Sequence, residues 1–190
     1  MSASSAGFHP EARGPNLTIT LRPITAADGD FLLTVYRSTR EDELARIDWD
    51  DRQKAAFIRQ QFDAQHHSYQ QQYPDGSFQV VIVDGQPAGR LYVHQMPGET
   101  RVIDIALLAG FRGRGVGTTL LGQVLAGAEV RGDCVTIHVE RNNPALRWYG
   151  GMGFQLLEDR GVYLFLRWQP SGLPAAPSQA EFPPPGPEQR

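Results

Sequence analysis

Val102 to Arg131 reads VIDIALLAGFRGRGVGTTLLGQVLAGAEVR. Its first seven residues are apolar, several of them β-branched, and broken only by Asp104, a pattern that predicts a buried strand. Four glycines then fall within eight positions, Gly110 to Gly117. After them Val116, Leu120, Leu121, Val124, Leu125 and Ala128 recur at helical spacing, so a helix with one buried face follows. Strand, glycine turn, helix start is a geometry that binds phosphate. The first amides of a helix lack intrahelical partners and sit at the positive end of its dipole. Glycines remove the side chains that would hold an anion away. The anion site is therefore read at the amides of Gly113, Arg114, Gly115, Val116, Gly117 and Thr118, with Arg112 and Arg114 as cationic donors.

Three phosphate motifs compete for this turn. A Walker loop ends in Gly-Lys-Ser/Thr, and no lysine is here. A dinucleotide fingerprint needs G-x-G-x-x-G, whereas Gly113 to Thr118 reads G-x-G-x-G-T, and hairpins rather than a repeated βαβ series lie upstream. The third motif, R-x-x-G-x-G, is matched by Arg112, Gly115 and Gly117. A second stretch decides between them. After the alternating strand Val135 to Val139 comes Asn142, Ala145, Tyr149, Gly153 and Phe154 in the spacing N-x-x-A-x-x-x-Y-x-x-x-G-F. Together with Leu21-Arg22-Pro23-Ile24 near the start, these motifs resemble the GNAT (Gcn5-related N-acetyltransferase) family over about Leu17 to Trp168.

Composition sets the outer bounds. The chain has 190 residues, enough for one domain. Hydrophobic residues make up 41%, which supports a real core. A net charge of −3 with no basic run argues against nucleic-acid binding. Lys54 is the only lysine. Cys134 is the only cysteine, so the chain forms no internal disulfide and offers no cysteine metal set; it is read as core filler. No metal site is expected. No run of 18 apolar residues and no signal-type segment appears, so a cytoplasmic protein without a membrane partner is expected.

Residues 1–16 read as a disordered tail and 169–190, with its prolines, as a second one, leaving 17–168 as the domain. Leu17 to Arg22 alternates as a strand. Thr25 and Asp28 start a helix whose buried face is Phe31, Leu32, Val35 and Tyr36. Ser38 to Asp48 is a charged loop or short turn, and Asp50 to Tyr73 a long helix with a stripe from Ala55 through Phe57, Ile58, Phe62 and Tyr69. That helix is solvated, or offers a surface to a polar substrate or to a second subunit in a homodimer. His66 and His67 are neighbours on a helix, point apart and make no metal pair. Ser77 to Val83 and Pro87 to Gln95 form a hairpin about Asp84-Gly85, and the strand Val102 to Leu108 completes an antiparallel meander. The crossover helix makes Val135 to Val139 parallel to that strand. Phe154 to Glu158 and Val162 to Trp168 close the sheet as a hairpin, giving an α/β (α+β) domain of about seven strands, mostly antiparallel and flanked by helices.

The resemblance adds the acyl-CoA N-acyltransferase fold, in which the two central parallel strands splay and the cofactor's pantetheine arm lies between them. It implies an acetyl-CoA-dependent N-acetyltransferase, with direct attack by a primary amine in a ternary complex. Backbone amides of Ile105, Ala106 and Leu107 would serve the acyl donor, and Asn142, or Asn143 through its N-P-A spelling, would bond its arm. Tyr149 would be the general acid. For the base, His138 is read first because of its titration range, with Asp104 and Glu140 beside it. The acceptor is a small-molecule amine or a peptide or protein N-terminus. The segment after the first helix usually lines the acceptor groove, which singles out Tyr36, Glu41, Glu43, Trp49 and Asp50. The acidic stretch Glu41 to Asp51 favours a cationic acceptor. A rival reading keeps the fold as a non-catalytic acyl-CoA-binding or interaction module. Gly150-Gly151 departs from the family pattern and predicts an early end to the helix carrying Tyr149.

Overall fold

The computed structural model describes residues 17–171. The tail read at 1–16, and the part of the C-terminal tail at 172–190, lie outside the described residues. The elements run β1 (Ile19–Pro23), α1 (Gly29–Ser38), α2 (Glu41–Ala45), α3 (Asp51–Gln72), β2 (Ser77–Val83) and β3 (Gln86–Met96). They continue with β4 (Glu99–Leu107), α4 (Val116–Arg131), β5 (Cys134–Glu140), α5 (Leu146–Gly151), β6 (Gln155–Arg160) and β7 (Tyr163–Trp168). One seven-stranded sheet has the order β1-β2-β3-β4-β5-β7-β6. Every neighbouring pair is antiparallel except β4 and β5. This is the α+β architecture expected, and Asp84 and Gly85 close the β2–β3 hairpin with φ of 50° and 79°, as a two-residue primed turn requires.

The parallel pairing is brief. Glu99 to Val102 faces Cys134 to Ile137, and the ladder ends there. In β4 the register then shifts: Val102 faces Val93 and Asp104 faces Tyr92, so Ile103 is an extra residue. Such a bulge bends its strand and raises the local twist. Beyond it β4 stays with β3, while β5 continues on β7 as far as Glu140. The two central strands therefore part into a gap. Gly89 lets β3 and β4 stay together there, since a Cβ on it would lie 2.1 Å from Ala106 O and 2.9 Å from Leu107 Cα.

Strand alternation sorts the two faces. Val135, Ile137 and Val139 pack under α4 and α5 with Leu121, Tyr149, Phe154, Leu164 and Leu166. Leu91, Val81, Val83, Val116 and Leu120 extend that layer toward β1. On the other face Tyr92 packs against Leu32, Tyr36, Leu44, Ile58 and Phe62 of α1 to α3. Thr136, His138 and Glu140 alternate onto this second face.

Asp28 locks the entry to α1: it accepts two bonds from Arg22, at 2.8 and 2.6 Å, and one each from the amide and hydroxyl of Thr25. Asp50 caps α3, its carboxylate accepting the Gln53 amide at 2.8 Å while the Gln53 side-chain oxygen accepts the Asp50 amide. The stripe read on α3 is narrower than expected. Only Ile58 and Phe62 are buried: α3 packs on α1 and on Tyr92 of β3, and Phe57 turns outward against Trp49. The C-terminal boundary also differs. Pro170 is buried, and the Ser171 amide donates to Glu129 at 3.0 Å, so the packed chain continues past Trp168.

Two glycine substitutions separate close approach from helix propensity. Gly89→Ala forces a methyl into the β4 backbone and is expected to lower stability by about 2 kcal/mol. Gly122→Ala, inside α4 with nothing within 4 Å of its Cβ position, is expected to raise it by up to about 1 kcal/mol. Thermal unfolding of the two variants beside the parent checks both signs.

Candidate functional site

The glycine turn forms as its sequence requires. After a short helical turn at Ala109–Phe111 the chain extends at Arg112, and Gly113 and Gly115 take φ of 69° and 81°. Gly115 caps α4. Both glycines need the left-handed region, and a Cβ on either would point into open space, so the requirement is conformational. The amides of Gly113 to Thr118 make no backbone hydrogen bond among the described residues; the first α4 bond runs from Thr119 N–H to Gly115 O. Six consecutive free donors thus lie at the positive end of α4.

The two arginines of the turn behave differently. Arg112, a phosphate donor on the sequence reading, commits two of its guanidinium nitrogens to the protein. Nε donates to Leu107 O at 2.7 Å, and Nη2 to Ser38 O and Oγ at 3.0 and 3.1 Å. Arg114 lies over the Phe111 ring at 5.6 Å, donates from Nη1 to Gly110 O at 3.4 Å, and remains exposed beside the free amides.

On β4 the Leu108 amide donates to Ala88 O. Alternation then turns Ala106 into the β3 ladder and leaves the amides of Ile105 and Leu107 on the open edge, facing the gap. Of the three residues read there, two present free amides. Across the gap, Asn143 is occupied: its Oδ1 accepts the Ala145 amide at 2.9 Å and starts α5. Asn142 is exposed and its side chain has no partner among the described residues. α5 is short, six residues ending at Gly151, as the glycine pair predicts.

Tyr149 sits on α5, 5% exposed, between Trp148 and Phe154. Its hydroxyl makes no hydrogen bond among the described residues. Burial, and then the negative charge of Asp104, hold the phenol above its ordinary pKa, so it keeps its proton at neutral pH. Trp148 anchors the helix to the turn: its Nε1 donates to Thr118 Oγ1 at 3.1 Å, and its ring lies 3.5 Å from where a Gly117 Cβ would be.

The α1–α3 face holds a polar floor. Arg90, 3% exposed, donates from Nη2 to Asp104 Oδ2 at 2.7 Å and to Gln65 Oε1 at 3.1 Å. Its guanidinium lies between the rings of Tyr36 and Tyr92, at 5.9 and 5.4 Å. Arg40 forks onto Glu140 and also reaches Glu43. His138 stacks on Phe165, with ring centroids 4.5 Å apart. Its Nε2 lies 3.1 Å from Arg160 Nη1; an arginine only donates, so Nε2 is the acceptor and its lone pair is engaged. Burial first, and then Arg101 and Arg160, push its pKa down. His138 is therefore neutral at pH 7, but it is held among β5, β6 and β7 and not joined to Tyr149. Of the acceptor residues read in sequence, Tyr36 is buried on the floor, Glu43 pairs with Arg40, Trp49 pairs with Phe57, Asp50 caps α3, and Glu41 is exposed.

Sequence reasoning passed over Arg90, Arg40 and Trp148. Arg90 did leave a signal: a charged residue in the middle of an apolar strand must find a partner. Arg40 left none, because its main partner, Glu140, lies 100 positions away. Among the described residues no group of three or more His, Cys, Asp or Glu side chains is arranged to hold a metal, and no helix is long and apolar enough to cross a membrane.

Comparison with known proteins places this arrangement. The sequence model of the Acetyltransferase (GNAT) family matches residues 41–154, and the chain belongs to that family. No curated protein sequence matches it. Among solved structures it is similar to a PaiA N-acetyltransferase from Thermoplasma acidophilum in complex with coenzyme A. That likeness has a TM-score of 0.61 at 18% identity, over 80% of this chain and 99% of the other. An acetyltransferase from Thermus thermophilus gives 0.57 at 19%, over 79% and 95%. Arabidopsis thaliana Naa50, bound to the bisubstrate analogue CoA-Ac-MVNAL, gives 0.51 at 16%, over 78% and 96%. At these identities the likeness establishes the fold.

Gly115→Ala tests the turn. Alanine at this positive φ costs about 1–2 kcal/mol, and the free amides lose their common direction. Affinity for coenzyme A, measured by calorimetry, is expected to fall about tenfold while the thermal midpoint moves by only a few degrees.

Proposed function

We propose that the chain is an acetyl-CoA-dependent N-acetyltransferase acting on a primary amine by direct attack in a ternary complex. One observation carries the reading: the six free amides from Gly113 to Thr118 follow directly on a strand whose open-edge amides, at Ile105 and Leu107, border a gap. A diphosphate fits the first set, and a chain of amide groups fits the second. Asn142 adds an unpaired side-chain amide on the opposite lip, and Arg114 adds a cation beside the diphosphate.

When bound, acetyl-CoA supplies an acyl carbon activated as a thioester. The amides of Ile105 and Leu107 are the donors that would hold and polarise the bound group. Tyr149 keeps its proton until a thiolate departs, then donates it as general acid. In the overall exchange the acyl carbon–sulfur bond breaks, a carbon–nitrogen bond forms, the amine loses a proton, and the sulfur gains one from Tyr149, which takes a proton back from water to close the cycle. With the lone pair of His138 engaged by Arg160, the amine proton passes to Asp104 Oδ1, which has no hydrogen-bond partner among the described residues, and from there to water. The acidic stretch from Glu41 to Asp51 supports a cationic acceptor, either a small amine or a peptide N-terminus.

Tyr149→Phe is the test. With acetyl-CoA and a panel of amines, release of free thiol is expected to drop about a hundredfold or more, while calorimetric affinity for acetyl-CoA stays within about twofold. Unchanged turnover would remove Tyr149 from the chemistry. Tight acetyl-CoA binding without thiol release from any amine would favour a non-catalytic acyl-CoA-binding module. The parent enzyme also has a pH signature. A phenol held above its usual value of about 10 stays protonated, so thiol release should not decline on the alkaline side below about pH 10.

A further inference from the structure

The corner between α1 and α2 is tied to both strand ends that border the gap. On one side Arg112 joins Leu107 O, at the end of β4, to Ser38 O and Oγ, at the end of α1. On the other side Arg40, two residues beyond Ser38, forks onto Glu140, the last residue of β5. Nη2 donates to Oε1 at 2.9 Å and Nη1 to Oε2 at 3.2 Å. Glu140 O also accepts the Asn143 amide at 2.9 Å, so the residue that Arg40 holds begins the connection to Asn142 and Tyr149. β4 and β5 share no pairing past Val102 and Ile137. No ladder spans the strand ends at this level; on the opposite face α4 and the Trp148–Thr118 bond bridge them, and on the α1–α2 side the link runs through Ser38-Thr39-Arg40 and its two arginine bridges.

We infer that these bridges form a strap that sets the width of the acyl-donor slot, with Arg40 and Glu140 as positioning residues and not ligands. The inference rests on the acetyl-CoA reading above. A half-exposed ion pair contributes little to stability by itself. A forked arginine–carboxylate pair is nonetheless geometrically stiff, and here it holds the end of β5 to the corner that Arg112 fastens to the end of β4. A slot held at its bound width loses less freedom on binding. The two ends of the ligand should feel the strap differently. The nucleotide end meets the amides of Gly113 to Thr118, whose placement depends on Gly113, Gly115 and α4. The pantetheine arm has to pass between the strand ends.

The experiment is calorimetric titration of the full chain with two ligands. One is acetyl-CoA; the other is 3′-phosphoadenosine 5′-diphosphate, the nucleotide end without the arm. Arg40→Gln and Glu140→Gln are each expected to weaken acetyl-CoA about tenfold and to leave the nucleotide within about twofold. Arg40→Lys keeps the charge but loses the fork, and should fall between parent and Arg40→Gln. If Arg40→Gln does not fold, Glu140→Gln carries the same comparison. Equal weakening of both ligands, or unchanged acetyl-CoA affinity, overturns the strap and leaves the acetyl-CoA reading standing. A parent protein that binds neither ligand overturns both.

Discussion

Parallel pairing between β4 and β5 lasts for four residue pairs and then stops. The features of the site follow from that. The bulge at Ile103 turns β4 away, and Gly89 keeps the turned half pressed to β3. Two amides of β4 are thereby left without a sheet partner. An open edge inside a sheet is a liability unless something covers it, and here it abuts a helix start with six more free amides. These unpaired backbone donors run from the middle of β4 to the first turn of α4. A ligand with a diphosphate at one end and amide groups along its length matches that run.

Arginines hold the surroundings in place. Arg90 fixes Asp104 beneath α3, Arg112 fixes the end of β4 to α1, and Arg40 fixes the end of β5 to the same corner. Each satisfies more than one acceptor, Arg112 and Arg40 through two nitrogens of the planar group and Arg90 through Nη2 alone. This gives physical content to a composition in which lysine occurs once. Tyr149 owes its placement to a different device. Trp148 packs on Gly117 and bonds Thr118, so the short helix carrying the tyrosine is fastened to the glycine turn despite its two glycines.

Local chemistry makes much of this legible in the sequence. The turn at Asp84-Gly85, the glycines before α4, and the alternation in β5 each speak through neighbours a few residues away, and each element stands where its residues place it. The splay of β4 and β5 is legible only by resemblance, because a bulge depends on the partner strand and leaves little trace in its own residues. The partners of Arg112 are hidden for a similar reason. An arginine in a glycine turn reads as a phosphate donor until Ser38, 74 positions earlier, is known to lie beneath it. His138 reads as a base because its titration range suits one. The fold supplies Phe165 and Arg160, which occupy its ring face and its lone pair.

The most direct measurement of the central claim is amide hydrogen exchange of the full chain with and without acetyl-CoA. Slowed exchange is expected at Ile105, at Leu107 and across Gly113 to Thr118, with little change at Ala106, whose amide is already in the β3 ladder. Protection confined to other segments, or none at these eight amides under saturating acetyl-CoA, would contradict that claim.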